Sequence, residues 1–107
     1  MRWEIEYYSE RLQKEILDMP PGILARYFAL TDRMEIYGPN LGMPHTRAMG
    51  DGLFEIRAKS GEGISRVFYC VLIGRKIKML HCFIKKSENT PARELETARR
   101  RLKEVKP

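Results

Sequence analysis

Residues 53–85 hold three apolar-alternating runs separated by two glycine turns, and that stretch constrains the fold more than any other part of the chain. LFEIRAK, ISRVFYCVLI and KIKMLHCFIK, at 53–59, 64–73 and 76–85, carry the alternation of half-buried strands. Reading Ser60-Gly61-Glu62-Gly63 as a four-residue loop sets Lys59 opposite Ile64 and therefore Arg57 opposite Arg66. Gly74-Arg75 reads as a two-residue turn with glycine first, the type II′ preference, which sets Ile73 opposite Lys76. The same count places Arg66 opposite Phe83 and Phe68 opposite His81.

Because side chains alternate across a strand, this register sorts the three runs into two faces. Phe54, Ile56, Ala58, Val67, Tyr69, Val71, Ile73, Leu80, Cys82 and Ile84 form an apolar face, the expected core. Glu55, Arg57, Lys59, Arg66, Phe68, Cys70, Met79, His81, Phe83 and Lys85 form the other. That second face is apolar near Gly74, where the last helix or a partner is expected to cover it, and cationic at its open end.

The flanking segments read as helices with one strand before them. WEIEYY alternates as a strand, and Ser9 is placed to cap a helix bearing Leu12, Ile16 and Leu17. Pro20-Pro21-Gly22 ends that helix and starts another, whose stripe of Ile23, Leu24, Tyr27, Phe28, Thr31 and Met34 stops at Gly38-Pro39. Residues 38–52 lack periodicity and read as a loop. Thr90-Pro91 is expected to open a final helix, with threonine capping and proline at its first position. Ala92, Leu95, Ala98, Leu102 and Val105 form its apolar stripe, and its arginines mostly face water. The expected order is β-α-α-β-β-β-α, an α+β domain over residues 1–107 with a small, mainly antiparallel sheet.

Charge narrows the class of partner. The first fifty residues hold six Lys and Arg against seven Asp and Glu, the remainder fourteen against seven, within a formal net charge of +6. Such a lopsided cationic half suits a polyanionic partner, nucleic acid or an acidic polypeptide. No run approaches the roughly 20 apolar residues of a membrane span, and MRWEIEYYSE lacks the apolar stretch of a signal peptide, so a cytoplasmic protein with no membrane partner is expected. Cys70 and Cys82 lie in strand patterns and read as small buried hydrophobes. No His and Cys spacing suggests a metal site.

Arg57 and Arg66 pose a specific problem, since like charges directly across a strand pair repel. Each arginine has a carboxylate within reach in sequence, Glu55 or Glu62, and pairing there is one solution. The other is that the two planar donor forks hold phosphate, turning repulsion into shared attraction, with Lys59 and Lys85-Lys86 extending the site.

The ordered combination of LFEIR, a glycine turn, SRVFY, and HCFIKKSENTPARE leading into a basic helix resembles the RelE/ParE toxin superfamily, and within it the phage-derived HigB-like branch. WEIEYYSE and YGPNLGMPHTRAM fit as well, so the likeness runs through nearly the whole chain. The resemblance implies the RelE-like sheet with its helical hairpin, and the toxin of a type II toxin–antitoxin pair. Many such toxins are ribosome-dependent endoribonucleases that cleave messenger RNA in the 30S A site. The RNA's own 2′-hydroxyl attacks the adjacent phosphorus, with neither metal nor other cofactor. It implies catalytic roles for Arg66 in phosphate stabilisation and for Arg57 in holding substrate or orienting the nucleophile. The family spacing favours Lys86 as the late-strand basic residue, whereas alternation places Lys85 on the Arg66 face. RelE has a tyrosine shortly after this position and SENTPARELE has none, which leaves the acid–base residue open. His81, on the cationic face with a titration range near neutrality, is a candidate ahead of His45, a structural strand histidine being the other reading. The resemblance also implies a cognate helix-turn-helix antitoxin, through which DNA would be contacted only indirectly. A ParE-like inhibitor of DNA gyrase, with the same fold and no nuclease activity, is the alternative.

Overall fold

A computed structural model describes residues 2–85 and 90–106. The elements run β1 (Glu4–Tyr7), α1 (Glu10–Leu17), α2 (Pro21–Tyr37), β2 (Thr46–Gly50), β3 (Leu53–Ser60), β4 (Gly63–Leu72), β5 (Lys76–Lys85) and α3 (Ala92–Val105). Five strands form one sheet in the order β1-β5-β4-β3-β2, with β1 parallel to β5 and every other pair antiparallel. The α+β, mainly antiparallel expectation holds, with one strand more than the sequence suggested.

That strand is β2, inside the segment read as a loop. Thr46 pairs Ile56, Arg47 pairs Glu55 and Ala48 pairs Phe54 before the register shifts at a bulge, so the regular run is too short to show alternation. Asp51, at φ 53°, and Gly52, at φ 85°, make the turn into β3, a left-handed geometry that glycine and aspartate tolerate best.

The helical hairpin forms where its signals lie. The Ser9 hydroxyl accepts from the Leu12 amide at 3.1 Å and caps α1. Helix α2 has Pro21 in its first turn and no cap from its own segment; the Glu62 carboxylate, from the β3–β4 turn, accepts from the Gly22 amide instead. An anion there also complements the positive end of the helix dipole. At the far end the chain leaves through Gly38 at φ 104°.

Both helices lie on one face of the sheet. Leu12, Ile16, Ile23, Tyr27, Leu30 and Met34 pack on Ile56, Ala58, Val67, Tyr69, Ile77 and Met79. Within this layer the Tyr27 and Tyr7 hydroxyls meet at 3.0 Å, and burial raises the Tyr27 pKa above the ordinary phenol range. Helix α3 covers part of the opposite face, packing Leu95, Ala98, Leu102 and Val105 on Leu53, Phe68, Cys70, Leu80 and Phe83. Burial likewise raises the Cys70 thiol pKa and pushes that of Cys82 up to about 12, keeping both free cysteines protonated and inert.

The β4–β5 register corrects the expected faces. The turn spans three residues, Ile73, Gly74 and Arg75, because Leu72 and not Ile73 pairs with Lys76. A bulge then restores the count: Tyr69 pairs with Met79 and Phe68 with His81, leaving Leu80 as the extra residue. Met79 therefore lies in the core under α1 and α2, and Leu80 under α3, the reverse of strict alternation. Ile73, expected in the core, sits fully exposed at the turn. Beyond the bulge the alternation is as expected, with Arg57 opposite Arg66 and Arg66 opposite Phe83.

Polar contacts fix α3 at its rim. Arg101 donates to the Leu80 carbonyl at 2.7 Å and lies over the Tyr8 ring, whose hydroxyl bonds Glu104. Arg99 donates to the Met49 and Gly50 carbonyls. Two arginines expected to face water thus hold the helix to the sheet. Thr90 does not cap α3 as expected: the cap residue is Pro91, and the Thr90 hydroxyl accepts from Arg66 at 3.0 Å.

Candidate functional site

Past the N-terminal end of α3, the sheet face continues as two residue rows. One aligns Lys59, Ile64 and Lys85 across β3, β4 and β5; the next aligns Arg57, Arg66 and Phe83. A cleft of about 600 Å³ opens over this corner, lined by Arg26, Pro44, His45, Arg57, Lys59, Ile64 and Lys85. Among the described residues its lining holds four cations and a histidine and no carboxylate.

Each wall comes from a different part of the chain. Alternation on β3 sends Arg57 and Lys59 to the same face, and the tight β3–β4 hairpin brings Ile64 beside them. His45 arrives from the segment before β2, where its carbonyl accepts from the Arg57 amide at 2.8 Å and its amide donates to the Gly42 carbonyl at 3.0 Å. Arg26 reaches over from α2, and its guanidinium Nη2 lies 3.3 Å from His45 Nδ1. A guanidinium can only donate, so Nδ1 is the acceptor and the ring proton belongs on Nε2. Partial burial, with Arg26 and Arg33 nearby, holds the His45 pKa below its usual value, which favours that neutral tautomer.

The two opposed arginines are in different states. Arg57 is half-buried and has no carboxylate partner among the described residues; its Nε, like that of Arg66, is buried without an acceptor among them. Arg66 is 3% exposed. Its Nη1 donates to both oxygens of Glu55, at 3.1 and 3.2 Å, and to the Thr90 hydroxyl. Glu55 is itself fully buried and takes a second cation, Arg47 Nε, at 3.2 Å. Of the two solutions the sequence left open, carboxylate pairing applies to Arg66 and an open donor fork to Arg57.

The other candidates divide similarly. Lys59 and Lys85 both line the cleft. Lys86 lies outside the described residues. His81 is away from the cleft, beneath α3, with Nε2 2.8 Å from Glu94 and its ring parallel to that of Phe68 at 6.5 Å. It ties β5 to α3, while His45 is the histidine that joins the cations. Arg26 and Pro44 were not anticipated: helical spacing shows only that Arg26 is off the buried stripe of α2, and its approach to β3 is a tertiary fact. Among the described residues, no three His, Cys, Asp or Glu side chains are grouped to hold a metal ion.

The family described as "Phage derived protein Gp49-like (DUF891)" matches residues 14–103. Among solved structures, the chain is similar to one from the archaeal RelE–RelB complex of Pyrococcus horikoshii OT3. The TM-score is 0.54 at 19% identity, covering 80% of this chain and 98% of that one. That likeness is one of fold. No curated protein matches.

Proposed function

The chain belongs to the phage-derived Gp49-like family, and on that premise we propose that it is the toxin of a type II toxin–antitoxin system, acting as a ribosome-dependent endoribonuclease on messenger RNA. One observation carries the reading: a cleft lined by Arg26, Arg57, Lys59 and Lys85 beside a neutral histidine, with no acidic side chain among the described residues of its wall. Such a cleft suits a chain of phosphates, and its volume suits a nucleotide rather than a flat duplex surface.

In the proposed reaction, the RNA 2′-oxygen forms a bond to the adjacent phosphorus as its proton passes to water. The bond from phosphorus to the 5′-oxygen breaks, and that oxygen is protonated, giving a 2′,3′-cyclic phosphate and a 5′-hydroxyl. Arg57 and Lys59 stabilise the charge that grows on the non-bridging oxygens, and Lys85 adds to the field. His45, neutral and holding its proton on Nε2, donates a hydrogen bond to a non-bridging phosphate oxygen and keeps that proton, while the 5′-oxygen takes its proton from water. Holding the backbone against a rigid sheet corner supplies the in-line geometry.

The solved relative is a RelE–RelB complex, which supports a cognate antitoxin for this chain as well; the helix-turn-helix type is taken from the family resemblance. The test is induction in cells followed by mapping of transcript 5′ ends. New 5′-hydroxyl ends within translated codons, lost in Arg57→Gln and His45→Gln at equal protein level, are the expected result. Unchanged ends in Arg57→Gln would refute the site, and trapped gyrase without new ends would favour the ParE-like alternative.

A further inference from the structure

Glu55 has a choice of arginines. It sits on β3 directly across from Arg47 on β2 and Phe68 on β4, with Arg57 two residues along its own strand and Arg66 diagonal to it. All four charged residues share one sheet face, so the carboxylate is placed to pair with either arginine of the opposed pair. It takes Arg66 with both oxygens and Arg47 with one of them. The Arg66 guanidinium is further held by Thr90, just before α3.

On the proposed nuclease reading, we infer that Glu55 assigns the opposed arginines different tasks: Arg66 is a positioning residue, and Arg57 is the one that meets phosphate. Arg66 is almost wholly enclosed and its charge is met by a carboxylate that is itself inaccessible, so no phosphate reaches it without displacing Glu55. Arg57 lines the cleft, faces a second guanidinium across the strand pair, and has no carboxylate of its own among the described residues. An incoming phosphate relieves that repulsion at Arg57. The role of Arg66 is to keep Glu55 occupied, because a carboxylate released from Arg66 would turn to its neighbour on the same strand and neutralise the ligand site. The assignment departs from the role that family resemblance gives Arg66.

Two measurements test this. In the wild-type protein the Arg Nε–Hε NMR signals are followed during titration with inorganic pyrophosphate. The Arg57 signal is expected to shift and that of Arg66 to stay; a shift of Arg66, or no shift of Arg57, overturns the inference without any variant having to fold. The second measurement is fluorescence anisotropy with a 2′-O-methyl RNA oligonucleotide, which lacks the attacking hydroxyl. Arg57→Gln is expected to weaken binding about tenfold, the scale of one charge-assisted hydrogen bond, and to lower the salt slope by about 0.7, one phosphate contact on a single strand.

Arg66→Gln is expected to do the same, because Glu55 then captures Arg57, and adding Glu55→Gln is expected to restore both affinity and slope. A direct phosphate contact at Arg66 would leave the double variant as weak as the single, and that result refutes the assignment. Absence of transcript ends in cells, with the pyrophosphate pattern as expected, would instead remove the nuclease reading and leave the division of labour intact.

Discussion

Leu80→Ala tests the least expected feature of the sheet, the bulge that turns Leu80 toward α3. Leu80 is fully buried in a small cluster with Leu53, Phe68, Cys70, Ala98 and Leu102. Truncation to alanine removes three carbons from that cluster and leaves a cavity, a change that costs about 2–5 kcal/mol in buried sites. The Arg101 bond to the Leu80 carbonyl uses only the backbone and survives the substitution. The loss therefore falls on the apolar seam between α3 and the sheet. The larger core under α1 and α2 shares none of these side chains.

Hydrogen exchange reads this difference directly, since amides report the opening of the unit that contains them. A loss of about 2 kcal/mol in the docking of α3 lowers protection of amides across 95–105 roughly 30-fold while α1 and α2 keep theirs. Met79→Ala, one position away but on the other face, is expected to do the opposite and loosen the layer that holds Tyr27 and Leu30. Equal losses in α2 and α3 from Leu80→Ala, or protection of α3 left unchanged, would place Leu80 outside the seam and refute the bulge.

Three further outcomes follow from contacts elsewhere. A Cβ on Gly22 would lie 2.4 Å from Glu62 Oε1, so Gly22→Ala is expected to be neutral or destabilising in the wild type. It should become stabilising by up to about 1 kcal/mol in a Glu62→Ala background, measured by urea denaturation, because alanine is otherwise the better helix residue. Tyr27→Phe strips the Tyr7 hydroxyl of its partner and is expected to cost about 1 kcal/mol in the same assay. His45 has a folded-state pKa below its unfolded value, so its contribution to stability is present above the unfolded pKa, near 6.5, and is lost as pH falls through the folded pKa. His45→Gln should flatten that acid-side slope, and a bound oligonucleotide should raise the His45 pKa, seen as proton uptake on binding.

The fold was legible where local chemistry and long-range pairing agree. Ser9, Pro21 and Gly38 mark the helix ends because each acts on its own turn of backbone. The β3–β4 register was legible because the glycine turn leaves one way to keep Ile56, Ala58 and Val67 on a common face. The β4–β5 register was legible at only one end. A turn one residue longer and a bulge one residue wide cancel, so Arg66–Phe83 and Phe68–His81 came out correctly while Met79 and Leu80 were exchanged. Nothing in KMLHC marks the bulge; the helix packed above it decides which of two adjacent apolar side chains turns up.

The site was legible as charge but not as geometry, and the reason lies in which neighbours decide it. Alternation alone aligns Arg57 with Arg66, yet it treats them as equals. Their difference is made by Glu55, by Arg47 on a strand that the sequence conceals, and by Thr90, 24 residues after Arg66. The same holds for the histidines: His81 has the better strand position, but α3 brings Glu94 onto it, whereas His45 comes from an aperiodic segment and is oriented by Arg26 from α2. A buried carboxylate between two arginines adds little net stability over an apolar pair, so its value here is discrimination. On the proposed reading, it lets a strand pair keep two guanidinium groups side by side, one held in the fold and one left for a ligand.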